Sequence, residues 1–186
     1  MIQAPYLAGQ LLLAMPGIGD PRFEKAVIAM CNHDANGAMG IGVGHLADRI
    51  TLHALMEQLD LATDAVPDCP IHIGGPVEQQ RGFVLHSLDW GGQGTVDVGG
   101  RWGLTSTLDV LRVIGTQRGP SKWLVALGYA GWGAGQLDGE MARHGWHATD
   151  GGEAILFETP IEQRWASAFG TVGIDPRLLS NTSGHA

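Results

Sequence analysis

The sequence is short of cations, of cysteines and of long apolar runs, and each shortage removes a class of function. Eleven Lys and Arg stand against 19 Asp and Glu, for a formal net charge of -8, and no Lys/Arg-rich run occurs. Affinity for nucleic acid comes chiefly from neutralising phosphates with clustered cations, so this balance opposes direct nucleic-acid binding and docking on an anionic membrane surface. No apolar stretch approaches the roughly 20 residues that a spanning helix needs. Leu11 to Met15 is too short for a signal segment and Met1 to Gln10 holds no basic residue, so a cytoplasmic protein is expected. The two cysteines, Cys31 in an apolar run and Cys69 before Pro70, suit reduced thiols rather than a disulfide framework.

Motifs for catalysis and cofactors are equally incomplete. Trp123 to Glu140 has the strand, glycine, helix order of a phosphate loop, but no Lys-Ser or Lys-Thr follows, so a γ-phosphate would meet no cation and a magnesium ion no hydroxyl. No serine stands in Gly-x-Ser-x-Gly, which excludes a nucleophile elbow. Gly42-Val43-Gly44-His45-Leu46-Ala47 fits a loose dinucleotide pattern, with Asp60 and Asp64 about where a ribose would need them. The helix signal begins only at Thr51, however, so these read as strand glycines. Eight histidines show neither His-x-x-x-His spacing nor companion cysteine pairs, and Gly145 interrupts His144 and His147; no metal and no cofactor is implied. Cys31 and His33 would share a strand face, which reads first as a core thiol beside a polar strand end and only second as a nucleophile pair.

Glycine is what the chain has in abundance, 29 residues, and four of them fall between 128 and 135. Trp123 to Gly128 predicts a strand, Gly128 to Gly135 a glycine-rich turn, and Leu137, Met141 and His144 a helix closed by Gly145. Earlier, Gly9 to Met15 predicts a strand, and Asp20-Pro21 a helical turn through Phe23. Ala26 to Asn32 and Ala38 to Val43 predict a hairpin around Asn36-Gly37. Leu52, Leu55, Met56 and Leu59 recur at helical spacing behind Thr51 as N-cap. Ile71 to Ile73 and Phe83 to His86 read as strands, the glycine-rich Trp90 to Gly103 as loop or hairpin with Thr95 to Val98 an alternative edge strand, and Ala154 to Phe157 as a further strand. Ser106 with Asp109 predicts a capped helix from Thr107, and Thr159-Pro160-Ile161-Glu162 a capped helix that buries Ile161, Trp165, Ala168 and Phe169. Interleaved helices and strands with a hairpin predict an α/β (α+β) fold on a mixed sheet. Residues 1–186 read as one domain, with 180–186 a loosely held tail.

Taken together, the blocks Gly9 to Pro16, Asp20 to Phe23, His33 with Gly37 to Gly40, Gly74-Gly75-Pro76-Val77, Arg81 to His86, Leu127 to Leu137, Gly173 to Pro176 and Gly184 to Ala186 resemble the YqgE/AlgH family, also called UPF0301 or DUF179. The resemblance covers nearly the whole chain in order. It implies a mixed, strongly bent and partly barrel-like sheet flanked by helices. Family members lack an established biochemical activity; they carry the name of transcriptional regulators through a link to alginate production in one branch. One departure is plain: where members usually continue the hairpin arm into Asn, a basic residue and Pro, this chain has Gly44-His45-Leu46.

Nothing here resembles a DNA-reading helix-turn-helix, so the leading expectation is a bacterial regulatory or adaptor protein that binds a protein partner or a small anionic ligand, any effect on transcription being indirect. Trp90, Trp102 and Trp132 are candidate anchors, against the alternative that all are core. The second expectation is an enzyme or metabolite sensor with a pocket between Gly74–His86 and Gly128–Glu140. There Arg81 would pair with an anion while His86, Gln136 and Glu140 supply acid, base or orienting bonds; alternatively Arg81 and Glu140 form a structural ion pair. Gly74, Gly75, Pro76, Gly128, Gly131, Gly133 and Gly135 are the expected structural motif.

Overall fold

Leu11 to Ala14 explain why the apolar runs of this chain are unbroken. Side chains alternate across a strand, and here both faces are covered. Leu11 and Leu13 join Val27, Ala29, Trp102 and Phe169 on one side. Leu12 and Ala14 join Ile28, Met30, Trp132 and Trp146 on the other.

A computed structural model describes residues 6–16, 20–150 and 152–179, with the Arg22 side chain left aside. Its order is β1 (Leu11–Ala14), a 3-10 turn (Pro21–Phe23), β2 (Val27–Asp34), β3 (Gly37–Gly42), β4 (Leu46–Thr51), α1 (Leu52–Gln58), β5 (Pro70–Ile73), β6 (Val77–His86), β7 (Val96–Val98) and β8 (Trp102–Thr105). Then follow α2 (Leu108–Gly115), β9 (Trp123–Gly133), α3 (Gln136–Ala142), β10 (Trp146–Thr149), α4 (Gly152–Phe157), α5 (Ile161–Thr171) and a 3-10 turn (Pro176–Leu178). The expected tail at 180–186 lies outside the described residues. No described helix is long and apolar enough to cross a membrane.

The strands run β10-β1-β2-β3-β9-β6-β8-β7 in a strongly curled, mixed sheet, with β4 and β5 as a branch. The two ends of that path approach one another. Arg101, in the β7–β8 turn, donates to the Asp150 carbonyl just beyond β10 and lies 3.6 Å from its carboxylate. Inside the curl sit Phe83, Leu85, Leu124 and Ala126 with α4 and α5. Outside, Val84 and Val125 pack on Leu52 and Met56 of α1 and Leu111 and Ile114 of α2.

Several local readings are confirmed by their bonds. Thr51 caps α1, its hydroxyl accepting the Ala54 N–H at 3.4 Å. The hairpin forms, but its loop is Ala35-Asn36, with the Asp34 carboxylate on the Asn36 N–H at 2.7 Å.

Others are corrected. Ala154 to Phe157 is helix, because four apolar residues fit either period and here Ile155 and Leu156 are needed on one face of a helix against the inner core. Thr107, not Ser106, is the N-cap of α2, its hydroxyl engaged with Asp109. Thr159 bonds back to the Ala154 carbonyl at 3.1 Å, leaving Pro160 at the N-cap of α5. Gly145 does not cap α3: His144 takes the left-handed position (φ 59), while the Gly145 N–H returns to the Glu140 carbonyl at 3.0 Å. Strands β4, β8 and β10 carried no signal of their own.

Candidate functional site

The glycines from 128 to 133 lie in a strand, not in a turn: β9 continues unbroken to Gly133. Its one long edge pairs with β6. The other edge is divided. Gly37–Gly40 of β3 pair antiparallel with Ala130–Gly133, and His72 and Ile73 of β5 pair parallel with Ala126 and Leu127. Where β3 and β5 part, the backbones converge, with the Gly42 N–H on the Gly74 carbonyl at 2.7 Å and the Gly74 N–H on the Leu127 carbonyl at 2.8 Å. A Cβ at Gly74 would stand 2.0 Å from the Gly128 oxygen, and one at Gly128, itself at φ +79, would stand 2.4 Å from the Gly75 oxygen. Only glycine fits there.

A fork of this kind leaves a gap between its arms. It forms an apolar cleft of about 620 Å³ between Val27, Ile28 and Leu46 on one side and Ile73, Pro76 and Leu127 on the other. A second, polar cleft of about 480 Å³ adjoins it, between the end of β9 and α3, and contains Gln136, Glu140, Arg143 and Trp146. Phe23, Pro76 and Ala130 line both, so the two share a border.

Three of the expected site residues meet in the polar lobe. The Trp132 indole N–H donates to Glu140 Oε2 at 2.8 Å and the Trp146 indole N–H to the same oxygen at 3.1 Å. Trp132 is only 8% exposed, so it is no free-standing anchor; its ring is core and its N–H sets the carboxylate. Gln136 uses Oε1 to accept the Gly133 N–H at 3.0 Å, which leaves its amide NH₂ for the cleft. Trp102 is fully buried and Trp90 half-buried, so they too belong to the packing.

Arg81 and His86 are not part of this constellation. Between Val77 and Gly82 the β6–β9 register shifts, and Arg81 stands exposed on that excursion, 3.3 Å from Glu78 and over the Phe83 ring. It therefore makes no pair with Glu140. His86 is 0% exposed: Nδ1 donates to the Ser87 carbonyl at 2.9 Å, and Nε2 meets the Thr105 hydroxyl at 2.8 Å. It is a core link between β6 and β8. Gly131 and Gly133 also lose their structural role, since a Cβ there would find its nearest neighbour at 3.4 and 3.9 Å, without positive φ. Gly135 keeps its role through φ +71 at the head of α3.

The pair Cys31 and His33 does not form either, because a bulge between Met30 and Asn32 interrupts the strand. Burial pushes the Cys31 thiol up to about 12, with the Trp102 indole opposing weakly. His33 instead accepts the Leu7 N–H on Nδ1 at 3.1 Å and faces Asp138 with Nε2 at 3.2 Å. Gly42 to Ala47 lead from strand to strand, so the dinucleotide geometry is absent. In the departing triplet, His45 holds the loop by a 2.9 Å bond from Nε2 to the Glu24 carbonyl.

The apolar lobe is backed by Arg164, which the helical pattern of α5 concealed. Arg164 is buried; Nε donates to the Thr159 carbonyl at 3.0 Å, and Nη1 to the Val43 carbonyl at 2.9 Å and His72 Nε2 at 2.7 Å. The available signal was a cation three residues after Ile161 and four before Ala168, on the helix face assigned to the core. Phe23, Arg143 and Trp146 were missed as site residues because segments far apart in the chain bring them together.

A family model described as AlgH-like matches residues 11–177. The UPF0301 protein of Rhizorhabdus wittichii is 64% identical, over 97% of this chain and 97% of that protein. The UPF0301 protein of Novosphingobium aromaticivorans is 58% identical over the whole of both chains. The solution structure of the AlgH protein from Pseudomonas aeruginosa is similar over 100% of both chains, with 37% identity and a TM-score of 0.76.

Proposed function

We propose, from the premise that this chain belongs to the AlgH-like family DUF179, that it is a cytoplasmic regulatory or adaptor protein that acts by binding, in the two-lobed cleft, an amphiphilic small molecule or a partner's side chain. One observation carries this reading: an apolar lobe and a polar lobe share Phe23, Pro76 and Ala130 along their common border. An apolar cavity with a few convergent polar groups is the usual form of a binding site. Chemistry is less well supported than binding. His72 and His86 have both ring nitrogens engaged, and the Cys31 thiol is buried. Any influence on transcription would pass through the bound partner, since the acidic chain is poorly suited to DNA.

The reading is tested by NMR screening of a fragment library against the wild type and Ala47→Trp, which places a bulky ring in the apolar lobe that Ala47 lines. Hits should shift resonances around Phe23, Pro76 and Ala130, and should be lost in the variant while its melting temperature stays close to wild type. Hits that map to other surfaces, or that survive Ala47→Trp unchanged, would refute it.

A further inference from the structure

The polar lobe has a chemistry of its own, which narrows the ligand class; this step rests on the cleft reading above. Both indole N–H groups converge on one oxygen of Glu140, Oε2. Two donors on a single oxygen hold the carboxylate in one orientation, and no described group hydrogen-bonds to Oε1. Glu140 lines the cleft and is half-buried. Around it the rings stand nearly perpendicular: Trp132 to Trp146 at 82° with centroids 6.2 Å apart, and Phe23 to Trp146 at 73° and 5.6 Å. A carboxylate held in one orientation, with one oxygen left free of donors, attracts a cationic nitrogen through its charge and accepts its N–H, while the surrounding rings exclude water.

The other ionisable side chains of the lobe among the described residues are Asp20, Arg143 and His144. Arg143 lies back along α3, with its guanidinium nitrogens 3.6 to 3.7 Å from the position a Cβ would take at Gly139, and it forms no ion pair with Glu140 among the described residues. Among the described residues of the lobe, an anion would face the Glu140 carboxylate, whereas the cation that an ammonium would meet as a rival is the exposed Arg143.

We infer that the polar lobe is a receptor for an alkylammonium group, seated on Glu140 Oε1 between Trp132, Trp146 and Phe23, with its alkyl part directed into the apolar lobe. Such a group belongs to a free amine or to a lysine side chain of a partner protein.

Titration by NMR, with the Trp132 and Trp146 indole N–H signals as readout, tests this with hexylammonium, hexanol and hexanoate. Hexylammonium should bind most tightly and move both signals. In Glu140→Gln the amide oxygen can still accept the indoles, so the fold is retained while hexylammonium weakens at least about tenfold and hexanol is unaffected. Arg143→Ala, at an exposed position, should tighten hexylammonium by about two- to fivefold and weaken hexanoate. N-acetyl-lysine-N′-methylamide separates the two sources. Binding tighter than hexylammonium assigns the cation to a protein side chain, and weaker binding assigns it to a free amine. Equal binding of hexanol and hexylammonium at the cleft would overturn the cation inference and leave the cleft reading standing. Preference for hexanoate, or no response to Glu140→Gln, would overturn it as well. If no probe and no library fragment moves a cleft resonance, both fall.

Discussion

His72 is held neutral by its surroundings. A carbonyl can only accept, so the 3.2 Å contact with the Val125 oxygen puts the ring proton on Nδ1, and Nε2 is left to accept from Arg164 at 2.7 Å. Burial, first, and then the Arg164 charge push its pKa down to about 4, with the Val125 bond opposing. Above the ordinary value of 6.5 neither the folded nor the unfolded chain carries this proton. As pH falls from there towards 4, the unfolded chain takes it up and the folded one does not, so stability falls. The loss should reach about 2 to 3 kcal/mol. Urea unfolding at pH 7 and pH 4.5 checks it: His72→Gln, which can keep both bonds without titrating, should lose clearly less than the wild type. Parallel losses would remove His72 as the cause. Neither residue's role was legible in the sequence. His72 looked like one of eight histidines, and Arg164 was a cation on a face otherwise given to the core; their partners are each other, 92 residues apart, and backbone carbonyls that no side-chain pattern encodes.

At the scale of elements, the glycines sort into two groups that the sequence could not separate. Gly74→Ala and Gly128→Ala each drive a methyl group into a backbone carbonyl at 2.0 and 2.4 Å and should cost about 2 to 4 kcal/mol. Gly131→Ala and Gly133→Ala meet only ordinary contact distances and should be neutral or stabilising by up to about 1 kcal/mol, through a less flexible unfolded chain. Melting all four variants decides the matter; a large loss at Gly131 or Gly133 would contradict the fork geometry. The reason a glycine is needed at 128 lies in the backbone of Gly75, remote in sequence, so a strand glycine there reads as a turn. The features that were legible rest on local chemistry: the Thr51 cap, the spacing of α1, and the β2–β3 hairpin. Short strands such as β10, or the apolar run of α4, take their identity from what they pack against. Within the candidate site, Trp132, Gln136 and Glu140 were legible because they sit on adjoining elements. Arg81 lines a separate, open hollow with Val77, Tyr129 and Trp132 and His86 is taken up in the core, because glycine-rich blocks that do approach one another do not carry all their neighbours to one place.

For the molecule as a whole, the two ends of the sheet meet through the packing of Val98 and Trp102 on Leu11 and Leu13 and through a polar contact, Arg101 on Asp150. It is an exposed pair, and such pairs contribute little to global stability. Arg101→Ala should therefore lower stability by no more than about 1 kcal/mol yet loosen the seam locally. Hydrogen exchange should quicken in β7, β8 and β10 while β9 stays protected; uniform protection in the variant would mean that the curl needs no clasp. The bent, partly barrel-like shape came from family resemblance rather than from periodicity, since curvature is a property of pairings and not of single strands.

Those pairings also fix an order of events. β9 borders β3, β5 and β6, and β1 finds its outer neighbour only in β10, Leu11 opposite Thr149. A chain emerging from the ribosome has made most of its strands before any of them meets the central one, and its first strand, paired early with β2 on one edge, waits almost to the end for the partner of its other edge. Non-local closure of this kind is slow, on the order of milliseconds to seconds in small domains, and exposes unpaired edges meanwhile. The cleft, bounded by β3, β5, β9 and α3, thus comes into being only near the completion of synthesis, so a nascent or truncated chain ending before β9 has nothing with which to bind.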